Sequence, residues 1–378
     1  MTYLDNAATT FPKPPAVLRA AMRCMREYCG NPGRSAHPLA LAAAEAVYDT
    51  RLALADFFGI SKPEGVIFAQ NATHALNKTI IPLIHNGKNV IITNLEHNSV
   101  LRPVMNACGQ VGASCDVIDA ARSDEDMLAE LEAKITPSTE LAITIHASNI
   151  CSRVLPIKEI GAICKRHGIT YIVDASQSAG IYDINITRDG ISVLCAPGHK
   201  GLYGPQGTGF AAFADDFDFS RFSPREYGGN GIASEDISMG NIPPESYEAG
   251  TLNVPGIVGL CEGVKFIRSY GREKILLHEK SLFAFARDEL TSVGARVYLP
   301  EYPGGVLLFN IDGISGSEVA ERLGDNDICT RAGLHCAPTA HTALGTGGDA
   351  VRISFSAFST REDVTKLISA LKKITEKA

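Results

Sequence analysis

Between about residues 65 and 213, short β-branched runs alternate with stretches of helical periodicity, a pattern that points to a mostly parallel sheet covered by helices. The runs that read as strands are Val66–Phe68, Val90–Ile92, Leu141–Ile145, Ile169–Val173, Ser192–Leu194 and Gly209–Phe213. Ahead of them, Leu39 to Phe58 is rich in Ala and Leu, keeps its apolar positions at helical spacing and stops at Gly59, which predicts one long helix.

From Phe222 to Gly259 the period is lost. Gly228-Gly-Asn-Gly231 and Pro243-Pro244 interrupt it, and an ordered loop of the kind that carries function is expected. Beyond it the pattern predicts helices near Val258–Ser269 and Lys274–Val293, a strand at Val306–Ile311 and a helix at Ser317–Leu323. A strand at Val351–Phe355 and a closing helix from Arg361 complete a smaller α+β unit. Single cores stop growing at about 250 to 300 residues, so a chain of 378 residues is expected to form two domains that share a cleft. The expected division is 16–262 for the large α/β unit, with 1–15 and 263–378 forming the small one.

The net charge of −7 is scattered along the chain, which argues against nucleic acid or a membrane surface as partner. No segment stays apolar long enough to span a bilayer, and Met1-Thr-Tyr-Leu-Asp-Asn6 has no basic stretch followed by an apolar run. The ten cysteines lack the paired spacing of a structural zinc site, so no metal is expected. Their irregular spacing points to a reducing, cytoplasmic compartment where free thiols survive.

Three sites fall where an open α/β sheet places ligands, just past the carboxyl ends of strands. In Gln70-Asn-Ala-Thr-His-Ala75 a strand gives way to a helix, and the amides around Ala72 with the Thr73 hydroxyl suit a phosphate; alternatively Thr73 caps the helix. Val173-Asp-Ala-Ser-Gln177 delivers Asp174 at the end of an apolar strand, where it pairs with a local group or an Arg, or holds the protonated nitrogen of a pyridine cofactor. In Ala196-Pro-Gly-His-Lys-Gly-Leu-Tyr-Gly-Pro-Gln-Gly207, Lys200 sits among glycines. Gly201 follows it, so neither the P-loop order nor the Rossmann order is present. A lysine in such a turn is either exposed or desolvated against a carbonyl with which it forms a Schiff base.

The order of Thr73, Asp174 and Lys200 makes the likeness specific. Together with Tyr3-Leu-Asp-Asn-Ala-Ala8, Asn31-Pro-Gly-Arg-Ser-Ala-His37, Glu96-His97-Asn98, His146-Ala-Ser-Asn149, Glu248-Ala-Gly-Thr251 and Arg331-Ala-Gly-Leu-His-Cys336, the chain resembles the class V aminotransferase family. Within that family of fold-type I pyridoxal 5′-phosphate enzymes it is similar to the cysteine desulfurase and selenocysteine lyase group. The resemblance implies that Lys200 carries the cofactor, His97 stacks on its ring and shuttles protons, and Gln177 bonds the ring hydroxyl. It also implies that His199 and Thr73 hold the phosphate, and that Thr251 reaches the phosphate of the other subunit of a homodimer. Asn149 and Arg352 are implied for the substrate carboxylate, with His37 and Arg331 also on the substrate side.

Arg352 has independent support, because the apolar residues of Val351-Arg-Ile-Ser-Phe355 alternate onto one face and leave the Arg fork on the other; a structural ion pair is its alternative. Cys336 lies in a turn-prone stretch with Arg331 and His335 nearby to favour its thiolate, although any one cysteine among ten can be a buried bystander. Cys329, seven residues earlier, is expected in the core rather than in a disulfide with it. Two positions depart from the desulfurase pattern: Pro197 replaces a Ser or Thr at the phosphate, and Leu334 replaces a His before the His-Cys pair. The implied activity is conversion of L-cysteine to L-alanine with the sulfur held as a persulfide on Cys336 and passed to an acceptor protein. L-selenocysteine as substrate, or transamination or β-elimination without Cys336, are the alternatives.

Overall fold

The computed structural model describes residues 1–33, 35–231, 235 and 237–376. Arg34 of the Asn31–His37 segment and residues 232–234 and 236 of the expected loop therefore lie outside the described residues. The chain opens with β1 (Thr2–Tyr3) and then builds a seven-stranded sheet from β2 (Val66–Ala69), β3 (Asn89–Thr93), β4 (Ser114–Ile118), β5 (Thr139–Ile145), β6 (Thr170–Asp174), β7 (Val193–Pro197) and β8 (Gly209–Phe213). Its order is β2-β8-β7-β6-β5-β3-β4, and only β8 runs against its neighbours. The central strands are mostly apolar and, apart from half-buried Glu140 and Thr170 near two strand starts, buried, because helices cover both faces. All six expected strands form. Sequence reading missed β4, whose Ser-Cys-Asp-Val-Ile is polar and half exposed because it is the sheet edge.

The long helix covers Pro38–Phe58, with Pro at its first position and Gly59 ending it at φ 73. A side chain at Gly59 would also meet Asn185. The expected loop is shorter than its sequence implied: the next helix, Val254–Tyr270, starts at a cap by Asn253, which takes the Gly256 amide. What holds this loop down is buried charge. Glu248 forms a two-pronged ion pair with Arg51, one contact at 2.8 Å, and accepts the Phe68 amide at 2.5 Å, while the Arg51 guanidinium lies 4.6 Å from the Phe68 ring centre. Glu248→Ala leaves Arg51 buried without its counter-charge and is expected to cost about 3–5 kcal/mol, read as a lowered denaturant midpoint.

The rest of the chain folds around a second sheet, of order β12-β13-β10-β9, made of β9 (Arg296–Tyr298), β10 (Val306–Asn310), β12 (Arg331–Gly333) and β13 (Ala350–Ser354); β11 (Ile328–Cys329) pairs with β1. The helices Arg272–Ser292, Gly316–Gly324 and Arg361–Thr375 pack on it, and Val351, Ile353 and Phe355 enter a core that also takes Leu4 from the start of the chain. Between the sheets, Glu279 is buried against Tyr182, Tyr203 and Gly305, and burial pushes its carboxyl up to about 8. Between the ordinary carboxylate range and that value only the unfolded chain releases this proton, so the group's contribution to stability falls as pH rises. Glu279→Gln is therefore expected to gain on the parent protein by a few kcal/mol from about pH 5 to about pH 8, measured as denaturation midpoints at the two ends.

Among the described residues no helix is long and apolar enough to cross a membrane, and no group of three or more His, Cys, Asp and Glu is placed to hold a metal ion.

Candidate active site

The carboxyl ends of β5, β6 and β7 deliver the buried part of the site. Lys200 lies in the turn after β7, and glycine is needed on both sides of it. A Cβ at Gly198 would meet the Thr208 hydroxyl at 2.3 Å, and one at Gly201 would meet the Ala179 carbonyl at 2.4 Å. Burial pushes the Lys200 amine down to about 8; Asp174 opposes the shift while Arg352 and Arg331 add to it. Much of the amine is thus neutral in mildly alkaline solution, as a nucleophile or base must be.

Asp174 ends β6 fully buried. Its Oδ1 accepts from both the amide and the hydroxyl of Ser176, whereas Oδ2 has no hydrogen-bond partner among the described residues. Burial raises the carboxyl above its ordinary range against the pull of Ser176. The local pairing read from sequence exists on Oδ1, and Oδ2 is left as an acceptor without a partner among the described residues. Gln177, three residues on, donates to the Ala7 carbonyl at 3.0 Å, tying the first segment of the chain to this site. The buried Nδ1 of His199 is likewise without a partner among the described residues, while its carbonyl accepts from Lys13 Nζ at 2.7 Å.

His97 caps the helix Asn98–Val111 through Nδ1, which accepts the Ser99 amide at 3.1 Å. Burial, then the Lys200, Arg331 and Arg352 charges, lower it to about 4, so the ring is neutral with its proton on Nε2. Thr73 does not cap its helix. Asn71 does, accepting the His74 amide at 2.9 Å, and Thr73 is exposed at the second helical position, its own and the Ala72 amide pointing out of the first turn. Thr73, His97 and Cys336 line one open groove of about 500 Å³.

The small unit brings the other half. Arg352 is 1 % exposed in β13. Its guanidinium donates to Asp5 Oδ1 at 2.8 Å and to the Asn149 carbonyl at 3.1 Å, and Nε is left without a partner among the described residues. The ion pair entertained from sequence therefore exists, and it leaves donor capacity on the fork. Asn149 Nδ2 donates to the His335 carbonyl at 2.8 Å, leaving Oδ1 without a partner among the described residues. Arg331 lies beside Arg352 in the β12–β13 pairing and sends Nη2 to within 3.5 Å of Cys336 Sγ. Cys336 is half-buried, its carbonyl accepts the Asn98 amide at 2.8 Å, and its backbone sits at φ 57 after His335 at φ 49. Left-handed backbone costs a residue with a side chain about 1–3 kcal/mol, so two in succession mark a turn held against its preference.

A family model described as aminotransferase class-V matches residues 2–367. The chain belongs to that family. It is 33% identical to a probable cysteine desulfurase of Methanothermobacter thermautotrophicus across 98% of this chain and 94% of the relative, and 30% identical to one of Halalkalibacterium halodurans across 100% and 93%. Among solved structures, the apo cysteine desulfurase of Thermococcus onnurineus NA1 superposes with a TM-score of 0.91 at 30% identity, covering 100% of this chain and 95% of that one.

In this class-V member Gln177 and Lys200 line one pocket and Thr73, His97 and Cys336 line another; Asn149, Arg331, Arg352 and Cys336 are tied by the contacts above, and the charges of Arg331 and Arg352 reach both His97 and Lys200, which also feels Asp174. Two expected residues stay apart. His37 is exposed and caps the helix Pro38–Phe58, its Nδ1 accepting the Ala40 amide at 3.2 Å, and Thr251 is exposed in the segment before Val254, outside the groove lined by Thr73. The expectation that His335 supports a thiolate is corrected. Burial and the Arg352 charge hold the ring near 3, hence neutral, and both its nitrogens engage groups other than the sulfur. All ten cysteines are free, Cys329 included. Asp5 and Ser176 are the site groups that sequence reasoning missed; the signal for Asp5 is an acidic residue inside the Tyr3–Ala8 motif.

Proposed function

We propose that this protein is a pyridoxal 5′-phosphate-dependent cysteine desulfurase, which releases L-alanine from L-cysteine and holds the sulfur as a persulfide on Cys336. The observation that carries the reading is the bond from the Asn98 amide to the Cys336 carbonyl, which sets a thiol-bearing turn of the small unit directly beside His97 of the large one. The residues fit the cofactor: the partnerless Asp174 Oδ2 is an acceptor for a pyridinium N–H, Lys200 is an amine tuned for a carbonyl, and the free amides at Ala72 and Thr73 with His199 suit a phosphate. Pro197 offers no hydroxyl there, so those groups carry the phosphate without it. When bound, the cofactor supplies an electron sink for a carbanion at the substrate α-carbon.

The chain's own residues do the rest. Arg352 and Asn149 hold the substrate carboxylate, Lys200 takes the α-proton, and the neutral His97 offers its Nε2 proton. Cys336 Sγ attacks the substrate sulfur; the carbon–sulfur bond breaks with its electron pair left on carbon, and protonation of that carbon yields alanine. We assign the cofactor to residues 16–262 and the Cys336 turn to the small unit formed by 1–15 and 263–378. Thr251 would complete the phosphate site of a second copy in a homodimer, which its exposure away from Thr73 supports. A cytoplasmic setting accords with ten free cysteines, and an acceptor protein for the persulfide, as in iron–sulfur cluster assembly, completes the reading.

The test is to incubate the cofactor-loaded protein with L-cysteine and an excess thiol reductant, which breaks the persulfide S–S bond and frees its outer sulfur as sulfide, and to quantify alanine and sulfide. Equal amounts of both support desulfuration. Neither from cysteine, with alanine from L-selenocysteine, moves the protein to selenocysteine cleavage.

A further inference from the structure

Beneath the Cys336 turn lie two buried histidines that the chemistry above does not use, His335 and His341, with ring centres 5.4 Å apart and planes 24° from parallel. Their proton positions follow atom by atom. His335 Nε2 is 3.2 Å from the Arg331 carbonyl, and a carbonyl only accepts, so Nε2 carries the proton. Burial keeps His335 neutral, so its Nδ1 accepts, and the group facing it at 3.2 Å, His341 Nε2, must donate. Burial disfavours a charge on His341 as well, which leaves its Nδ1 to accept the Thr346 hydroxyl proton at 2.6 Å in preference to the His341 carbonyl, 3.4 Å from the same hydroxyl. Every link points one way, from Thr346 through His341 and His335 to the backbone of β12.

The path also has a mechanical meaning. Arg331 is on β12, His341 is in the helix Pro338–Ala343, and Cys336 sits in the turn between them. The His335 ring thus staples the two ends of a turn whose backbone at 335 and 336 is left-handed. Without the Thr346 hydroxyl, His341 Nδ1 is a buried acceptor that has lost its donor, the ring is held through one nitrogen only, and it can turn away from His335 Nδ1, which opens the staple.

We propose that Thr346 and His341 are positioning residues for Cys336, a one-way hydrogen-bond chain that fixes the His335 tautomer and keeps the thiol beside Arg331. The inference rests on the reading of Cys336 as the sulfur acceptor.

The experiment compares holoenzyme variants by the rate at which iodoacetamide alkylates Cys336, followed by mass spectrometry of its peptide, together with kcat and KM for L-cysteine. Thr346→Val is expected to lower kcat about tenfold with KM nearly unchanged, and to slow Cys336 alkylation about threefold or more, as the sulfur leaves the guanidinium. Thr346→Ser restores both. His341→Gln, which keeps an N–H donor, retains more of both than His341→Leu, and this pair decides the matter should Thr346→Val not fold. Unchanged alkylation in Thr346→Val and His341→Leu, with or without a loss of thermal stability, overturns the proposal and leaves the histidines as packing. Alkylation needs no turnover, so a protein that ignores cysteine but still shows these rate differences refutes the desulfurase reading and keeps the positioning role.

Discussion

Cys336→Ala is expected to abolish sulfide formation from L-cysteine, a loss of about 10³-fold or more of the kind seen when a nucleophile is deleted, while cofactor absorbance and the melting temperature stay near those of the parent protein. The separation follows from the geometry. Cys336 meets the large unit through its backbone carbonyl, which alanine preserves, and of the groups suited to the cofactor Asp174 ends β6 while His199 and Lys200 belong to the turn after β7. Only the sulfur beside Arg331 is removed. A variant that releases sulfide at the parent rate would make Cys336 a bystander and transfer the search to β-elimination or amino-group transfer.

On the proposed assignment, Lys200→Ala is expected to lose both the covalent hold on the cofactor and the α-proton transfer, the latter alone worth about 10²–10⁴-fold. The informative control is Lys200→Arg. Burial pushes the lysine amine down to about 8, so both its neutral and charged forms are populated around that pH; a guanidinium stays charged and cannot serve as base or nucleophile. Arg is therefore expected to be as inactive as Ala although its charge is kept. Exchange of the substrate α-hydrogen with deuterated solvent reads the proton step separately from sulfur release: it should persist in Cys336→Ala and vanish in both Lys200 variants. Exchange surviving in Lys200→Ala would assign the proton to another base, with His97 the first to examine.

Much of this site was legible before the fold, and the parts that were not share a cause. A strand running into Asp174 and a lysine between glycines are local patterns, set by side-chain alternation and by the absence of room for a Cβ. The tasks of Thr73, His335 and Arg352 were open because each depends on which neighbour takes a shared hydrogen bond. Asn71 outcompetes Thr73 for the helix cap through a side chain two residues closer to the start. His335 turns inward to Arg331 and His341 because burial makes an engaged neutral ring cheaper than a charged one at the sulfur. Edge strand β4 was missed because a strand with one open side need not be apolar.

The sequence by itself determined the mostly parallel sheet, the long helix stopped by Gly59, the glycine-framed Lys200 and the Asp174 that ends β6, since periodicity and backbone sterics act over a few residues. Only the tertiary structure decided that Asp5 pairs with Arg352 across 347 residues of chain, that Asp174 keeps one oxygen without a partner among the described residues while filling the other, and that Cys336 meets Asn98 beside His97. Burial and hydrogen-bond satisfaction are properties of the packed whole: which polar atom is left free is settled by residues far along the chain, and no local pattern records their arrival.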